Sequence, residues 1–220
     1  MTDVIANIYI SGGKILAKLY TAIWSSNIQH ISWFDHRFDF LRGPANWYWT
    51  ERGIYAREAI KPGGAVLEIG CGDGIYADYF YSGKAGWVDA VDKDTKAIGF
   101  ANRNHQRANI RFLEGDAATI KFPQRKYDTV CMYEVIEHFS PEDGKRMLSK
   151  IGGYLAKGGK LAGSTPLMTD RKMHNWEHQN EFFFQDQLVK FLGSVFGKVS
   201  VKTSRWPDRM TAYFVCEQPK

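Results

Sequence analysis

Short apolar runs alternate with longer segments whose apolar residues recur at helical spacing, beginning at residue 65. The apolar runs predict strands at 65–69, 87–91, 110–113, 127–133, 159–164, 199–203 and 212–216. Helical spacing falls at 75–81, 95–107, 142–155 and 184–192. Strands that alternate with helices indicate a mostly parallel sheet covered on both faces, and the last two strands indicate an antiparallel hairpin at one edge. We therefore expect one doubly wound α/β domain with helices on both faces of a twisted sheet.

The first 60 residues differ from the rest, because they contain many aromatic side chains mixed with histidine and arginine. Apolar spacing predicts helices over 12–24 and 46–60, and Lys61-Pro62-Gly63-Gly64 ends the second of them. The sequence thus divides into an N-terminal helical segment, residues 1–60, and an α/β domain, residues 61–220.

The first predicted strand runs directly into a glycine-rich turn, Glu68-Ile69-Gly70-Cys71-Gly72-Asp73-Gly74, and a predicted helix follows. Glycines at the end of a parallel strand let the backbone turn sharply and approach a ligand, and a helix N-terminus adds N–H donors. A dinucleotide site would need a glycine in place of Ile75, and a phosphate-binding P-loop would need a following Gly-Lys-Ser or Gly-Lys-Thr. Neither is present, and the observed pattern is E-x-G-x-G-x-G.

Residues 66–74, VLEIGCGDG, resemble motif I of the class I S-adenosylmethionine-dependent methyltransferases. Later segments resemble the motifs that follow in that family: Asp92 after the second strand, Gly115-Asp116-Ala117 after the third, YDTV at 127–130 and GGKL at 158–161. The resemblance covers about residues 54 to 220 and supports the count of seven strands.

The resemblance implies S-adenosylmethionine as the cofactor, with Asp92 on the ribose hydroxyls and Asp116 on the adenine amino group. This role suits Asp92, because an ionised carboxylate offers only acceptors and can take two O–H donors. The family pattern assigns cofactor contacts to Glu68, Gly70, Cys71, Gly72, Gly74, Asp92, Lys93, Asp116, Ala117 and Tyr133.

In such proteins the chain before the first strand often covers the cofactor, so we interpret residues 1–60 as a helical lid. Its aromatic and basic residues could wall a substrate pocket, above all Trp33, His36, Arg37, Trp47 and Trp49. The alternative is that these bulky side chains only cover an edge of the sheet.

A charged turn, Glu134-Val135-Ile136-Glu137-His138, follows the fourth predicted strand. At the carboxyl edge of the sheet this turn would face the methyl donor, and one helical turn would place Glu134, Glu137 and His138 on one face. Carboxylates and an imidazole together suit Mg²⁺ or another divalent cation. His138 is also the best candidate for a general base, because imidazole titrates near neutral pH.

This E-x-x-E-H turn is similar to one in the O-methyltransferases of ubiquinone biosynthesis and in small-RNA 3′-terminal ribose 2′-O-methyltransferases. In the second group, a histidine after the fifth strand completes a metal site. Here Ser164-Thr165-Pro166 opens the corresponding loop, in which His178 matches best and His174 is the alternative, although the rest of the loop departs from that group. Three roles stay open: a metal site of Glu134, Glu137, His138 and His178, substrate contact without metal, or a structural role such as pairing of Glu137 with Arg171.

Composition adds a few limits. The chain is 44% hydrophobic and 24% charged, which excludes a disordered chain, and its formal net charge of +5 mildly favours anionic partners unless the cations only solvate helix faces. Cys71, Cys131 and Cys216 have no disulfide spacing, which favours a reducing compartment. Since we find neither a signal-peptide pattern nor an apolar run of about 18 residues, we expect a cytoplasmic protein without a transmembrane segment.

These observations predict methyl transfer from the cofactor to an oxygen of a small-molecule or sugar-like acceptor, with or without a divalent cation. One alternative is methylation of an RNA ribose, and another is a non-catalytic cofactor-binding subunit. The intact turn at 134–138 argues against the last, because such a subunit would have little need of it. The oligomeric state does not follow from the sequence.

Overall fold

Seven strands of the computed structural model form one sheet. Their bounds are β1 (Ala65–Ile69), β2 (Trp87–Asp92), β3 (Ile110–Glu114), β4 (Tyr127–Tyr133), β5 (Leu155–Pro166), β6 (Phe196–Trp206) and β7 (Arg209–Pro219). The order is β3-β2-β1-β4-β5-β7-β6, in which β1 to β5 are parallel and β7 is antiparallel to β5 and β6. The predicted sheet and its edge hairpin are therefore confirmed.

The structure describes residues 2–25, 47–169, 178–207 and 209–220. Their helices are α1 (Thr2–Ser25), α2 (Trp47–Ala59), α3 (Thr95–Asn104), α4 (Pro141–Tyr154) and α5 (Gln185–Gly193), with a π-helical segment (Tyr76–Tyr81) and a 3₁₀ turn (Ile136–His138). The chain divides into two compact units, Met1–Glu51 and Arg52–Lys220. Within the described ranges, no helix has an apolar stretch of the length that crossing a bilayer requires.

Side-chain caps explain where the helices after β2 and β4 begin. Asp94 accepts hydrogen bonds from the backbone N–H groups of Lys96 and Ala97, at 2.7 and 3.1 Å, and so caps α3. Ser140 caps α4 by accepting from the N–H of Asp143 at 3.1 Å, and Pro141 occupies the first helical position. These caps fix the points at which the chain leaves the carboxyl edge of the sheet.

The main apolar core lies on one face of the sheet, where α4 and α5 pack against the central strands. Buried side chains there include Leu67 and Met132 from β1 and β4, and Leu148 and Leu188 from the two helices. On the opposite face the carbonyl of Ala59, in α2, accepts from the Thr129 hydroxyl at 3.4 Å. Both faces of the sheet are thus covered, as the alternating pattern predicts.

The strand order changes direction between β1 and β4, because β2 lies on one side of β1 and β5 lies beyond β4. In an open parallel sheet, ligands bind outside the carboxyl ends of the strands at such a point. The glycine-rich turn follows β1 and the charged turn follows β4. The fold therefore brings both motifs to the edge where a ligand is expected.

Candidate active site

The glycine-rich turn after β1 has a backbone that only glycine adopts easily. Gly70, Gly72 and Gly74 have φ values of 73°, 52° and 84°. A Cβ atom on Gly70 would lie 2.6 Å from Cγ2 of Val135, which belongs to the charged turn after β4. The two turns are therefore in direct contact, and Gly70 is required both by its conformation and by the space that Val135 fills.

Asp92 at the end of β2 holds the glycine-rich turn in place. Its Oδ2 accepts from the N–H of Gly72 at 2.9 Å, and its Oδ1 accepts from the N–H of Asp94, also at 2.9 Å. A carboxylate oxygen can accept more than one hydrogen bond. Asp92 can thus shape the turn and still accept from hydroxyl groups of a ligand.

Glu68 lies in β1, next to the glycine-rich turn, and is buried, with 4% of its surface exposed. Burial raises the pKa of this carboxyl well above its usual range; the nearby Tyr81 hydroxyl lowers it in part, and the nearby Asp73 and Asp92 raise it. Among the described residues, Oε2 of Glu68 has no hydrogen-bond partner. A buried acceptor without a partner costs stability, so this position fits a donor group from a ligand.

Glu68→Gln is expected to stabilise the cofactor-free protein at about pH 8 and to have little effect at about pH 5. The pKa of Glu68 is higher in the folded protein than in the unfolded chain, where it is about 4.5. The folded wild type therefore becomes less stable relative to its unfolded state as the pH rises above that value. Glutamine does not titrate, so the variant does not lose stability in this way. Melting temperatures at both pH values test this, with the exposed Glu58→Gln as control. An equal shift for Glu68→Gln at both pH values would contradict it.

The other positions assigned to the cofactor surround the same edge. Asp116 and Lys93 are exposed, and Ala117 is half-buried. Asp116 accepts from the N–H of Ala118 at 2.8 Å through Oδ1. Cys71 is buried within the glycine-rich turn, and Tyr133 is the last residue of β4. Every residue of the predicted cofactor set therefore lies in or directly after one of β1 to β4.

Glu134 opens the charged turn in a left-handed conformation, with φ 56°. Its Oε1 accepts from the Ser164 hydroxyl at 2.7 Å, and its Oε2 pairs with Arg209 and lies 3.4 Å from Nη2 of Arg52. Burial alone would raise the pKa of Glu134, but the charges of Arg52 and Arg209 outweigh burial and hold it below its usual range. Glu134 is thus an ionised carboxylate fixed by two arginines.

Glu137 is buried in the 3₁₀ turn, where its Oε2 accepts from the Thr165 hydroxyl at 3.0 Å. Burial, followed by the negative charge of Glu134, raises the pKa of Glu137 to about 8. The backbone carbonyl of Glu137 accepts from the N–H groups of Gln179 and Asn180, at 2.8 and 3.1 Å. These two bonds tie the loop after β5 to the charged turn.

His178 reaches the charged turn because it precedes the two residues that bind the Glu137 carbonyl. The ring centroids of His138 and His178 lie 5.3 Å apart at an angle of 82°. One potential ligand atom each from Glu137, His138 and His178 lies within 4.8 Å of the others. His138 is exposed and His178 is half-buried, so a small ligand can reach them from solvent. We call these three residues the Glu-His-His cluster.

The structure brings together three of the four residues predicted to meet at this site, whereas Glu134 pairs with arginine instead. The 3₁₀ turn covers only Ile136–His138, and the left-handed backbone at Glu134 precedes it, so Glu134 does not share a helical face with the other two. His174 and Arg171 lie outside the described residues, as do Trp33, His36 and Arg37. Trp47 is exposed, and Trp49 is half-buried.

Arg52 and Arg209 are site residues that the sequence reasoning missed. Arg52 is 4% exposed and belongs to the buried side of α2, together with Ala56 and Ala59. The sequence did contain a signal for Arg52, because it lies at helical spacing from small residues on the side of α2 that is buried. A buried arginine needs an acidic partner, so this spacing could have indicated one. Arg209 is the first residue of β7, and its sequence context gives no comparable signal.

Comparisons with known proteins identify a similar domain and a similar fold. Residues 66–159 match the family described as a methyltransferase domain. The crystal structure of the N-methyltransferase NodS from Bradyrhizobium japonicum, in complex with S-adenosyl-L-homocysteine, superposes with a TM-score of 0.66 at 16% identity, over 91% of this chain and 98% of that one. The chain has the class I methyltransferase fold.

Two curated relatives match part of the chain at higher sequence identity. An uncharacterized methyltransferase of Mycobacterium tuberculosis is 35% identical over 107 residues, 48% of this chain and 53% of that protein. The fatty-acid O-methyltransferase of Mycolicibacterium smegmatis is 34% identical over 80 residues, 36% of this chain and 29% of that protein. The chain therefore spans about half the length of the first relative, and less of the second.

Proposed function

We propose that the chain is an S-adenosylmethionine-dependent methyltransferase that methylates a hydroxyl oxygen of a small-molecule or sugar-like acceptor. The observation that carries this proposal is the contact between the two turns. Val135 packs so closely against Gly70 that a Cβ atom at position 70 would clash with it. This contact sets a cofactor-type glycine turn directly beside the Glu-His-His cluster. A donor site and a proton-accepting or metal-binding site at one edge of a sheet are what methyl transfer to a hydroxyl requires.

The residues after β1 to β3 suit S-adenosylmethionine. Asp92 can accept from ribose hydroxyls, Asp116 can accept from the adenine amino group, and the unpartnered Oε2 of Glu68 can take a further donor. Gly70, Gly72 and Gly74 keep side chains away from the ligand, and Cys71, Lys93, Ala117 and Tyr133 border it. When bound, this cofactor supplies an electrophilic methyl group on a sulfonium. The S-adenosyl-L-homocysteine in the NodS complex supports this choice.

We propose that the Glu-His-His cluster binds a divalent cation such as Mg²⁺. One carboxylate and two imidazoles with ligand atoms within 4.8 Å of one another are a set that several divalent metals accept. A cation at this position would lower the pKa of the acceptor hydroxyl and orient it. Glu134 then acts as a positioning residue, because it fixes the turn to α2 and β7 through Arg52 and Arg209.

The protein's own groups supply the proton transfer and the alignment. His138 is an exposed member of the cluster, and without a bound cation it is our candidate for the base that takes the hydroxyl proton. Thr165 and the two backbone bonds to the Glu137 carbonyl hold the cluster in place. Such positioning matters because in-line attack needs reacting atoms about 3 Å apart.

The choice of oxygen as the methylated atom rests on the charged turn and on the named activity of the fatty-acid O-methyltransferase relative. RNA ribose is the second candidate acceptor, since the E-x-x-E-H turn is similar to that of small-RNA methyltransferases and the chain is basic. We further propose that residues 1–60 form a helical lid segment and that the protein is cytoplasmic.

Incubation of the protein with isotopically labelled S-adenosylmethionine and separate small-molecule and RNA fractions tests this function. We expect label in the small-molecule fraction, attached to oxygen, and identify it by mass spectrometry of the product. Asp92→Ala serves as the cofactor-deficient control. Label attached to nitrogen would contradict O-methylation, label confined to RNA would favour the second candidate, and no transfer to any fraction would favour a non-catalytic subunit.

A further inference from the structure

Most of the exposed large hydrophobic side chains of the described residues belong to α1. Those of Val4, Ile5, Ile8, Tyr9, Ile10, Ile15, Leu16 and Leu19 are each more than half exposed. Soluble proteins rarely expose a contiguous apolar surface of this kind without using it to bind something. We therefore expect this surface to bind a partner, because no described residue covers it.

The exposed apolar side chains of α1 are not spread evenly around the helix. At about 100° per residue, Val4, Ile5, Ile8, Ile15, Leu16 and Leu19 fall within an arc of about 120°. Asn7, Lys14 and Lys18 lie on the opposite side, and so does Ile10. We call the arc of six residues the apolar face of α1. The helix is thus amphipathic, and its apolar face runs along most of its 24 residues.

The charges of α1 favour an anionic partner. The charged residues of the helix are Asp3, Lys14 and Lys18, so its formal charge is +1 and its two cations lie beyond its first three turns. The whole chain also carries a formal net charge of +5. An anionic bilayer attracts cations of this kind, and each lysine near its surface contributes favourably to binding.

We infer that α1 binds the surface of a bilayer that contains anionic lipids and lies in its plane. Its apolar face would enter the boundary between headgroups and acyl chains, while Lys14 and Lys18 extend toward the lipid phosphates. Although 24 residues make a helix of about 36 Å, α1 lacks the continuous apolar stretch that a spanning helix needs. A helix with one apolar face and a polar side that carries two lysines matches the chemistry of an interface and not that of the bilayer interior.

Co-sedimentation of the full chain with vesicles tests this inference independently of catalysis. One set contains phosphatidylcholine alone, and the other mixes phosphatidylcholine with phosphatidylglycerol. We expect wild type to bind the mixed vesicles, with affinity that falls as salt is added. The double variant Ile8→Asp, Ile15→Asp should bind at least tenfold more weakly, because it places charge on the apolar face.

The matched control is Ile10→Asp, which adds the same charge to an exposed isoleucine on the opposite side of α1. It should bind vesicles within a factor of two or so of wild type, and Lys14→Glu with Lys18→Glu should weaken binding to the anionic vesicles only. Circular dichroism checks that each variant remains folded. The inference is overturned if wild type does not sediment with either vesicle, or if Ile10→Asp weakens binding as much as the double variant. A different result would assign this face to a second copy of the chain. In that case wild type would not bind vesicles and would form an oligomer without lipid, and the double variant would be monomeric.

Discussion

Removal of divalent cations with excess chelator is expected to abolish methyl transfer, and addition of Mg²⁺, Mn²⁺ or Co²⁺ should restore it. The Glu-His-His cluster provides the reason, since its ligand atoms lie within 4.8 Å of one another at the edge where the acceptor is expected. His178→Ala should weaken metal binding by at least about 10- to 100-fold, because even changes to residues around metal ligands have effects of that size. Metal titration of the purified protein measures the affinity directly.

Gln179→Ala is the matched control for this substitution. Gln179 is adjacent to His178 and exposed, and only its backbone N–H binds the Glu137 carbonyl, so alanine keeps that bond. Its metal affinity should equal that of wild type. Full activity in excess chelator, together with absence of metal by elemental analysis, would eliminate the metal site. His138 would then be left as a base that acts without metal assistance.

Asp92→Ala should lower the affinity for S-adenosylmethionine about ten- to a hundredfold. The loss of charge-assisted hydrogen bonds is worth about 1.5–3 kcal/mol, and each 1.4 kcal/mol is a factor of ten in affinity. The substitution also removes the bond from Oδ2 to the Gly72 N–H, which shapes the turn. Isothermal titration with the cofactor and with its demethylated product measures the change.

A neighbouring aspartate separates this binding effect from a general loss of stability. Asp94 caps α3 through Lys96 and Ala97, so Asp94→Ala should lower the melting temperature. It should leave cofactor affinity within about threefold of wild type, because alanine keeps the backbone N–H that Asp94 donates to Asp92. If Asp92→Ala binds the cofactor as tightly as wild type does, Asp92 does not bind the ribose.

The sheet could be predicted closely because its central strands are apolar runs bounded by glycine, proline or charge. The runs at 65–69 and 127–133 coincide with β1 and β4. The strands at the antiparallel edge were predicted too short: β6 spans Phe196–Trp206, whereas the apolar pattern covers only 199–203. An edge hairpin pairs through backbone groups beyond its apolar centre, and one face of such strands is polar, so hydrophobicity marks only their middle.

The position in the fold of the residues assigned to the cofactor could also be predicted, since each lies in or directly after one of β1 to β4. The environment of Glu134 could not be predicted, because its partners are distant in sequence. They are Ser164, Arg52 and Arg209, and Arg209 is 75 positions away. Sequence spacing describes which side chains share a face only within one element. The left-handed backbone at Glu134 interrupts that element, so the assumption of one continuous helical turn did not extend to it.

The position of β7 between β5 and β6 has a consequence for synthesis on the ribosome. β6 leaves the ribosome before β7, yet it cannot take its final place until β7 has paired with the edge of β5. Until then β5 exposes unpaired N–H and C=O groups, and a nascent chain with a bare strand edge is open to pairing with other chains. Arg209 arrives with β7, so the carboxylate of Glu134 lacks this counter-charge during the same interval. Pairing of β7 with β5 therefore completes both the edge of the sheet and the ion pair between Arg209 and Glu134.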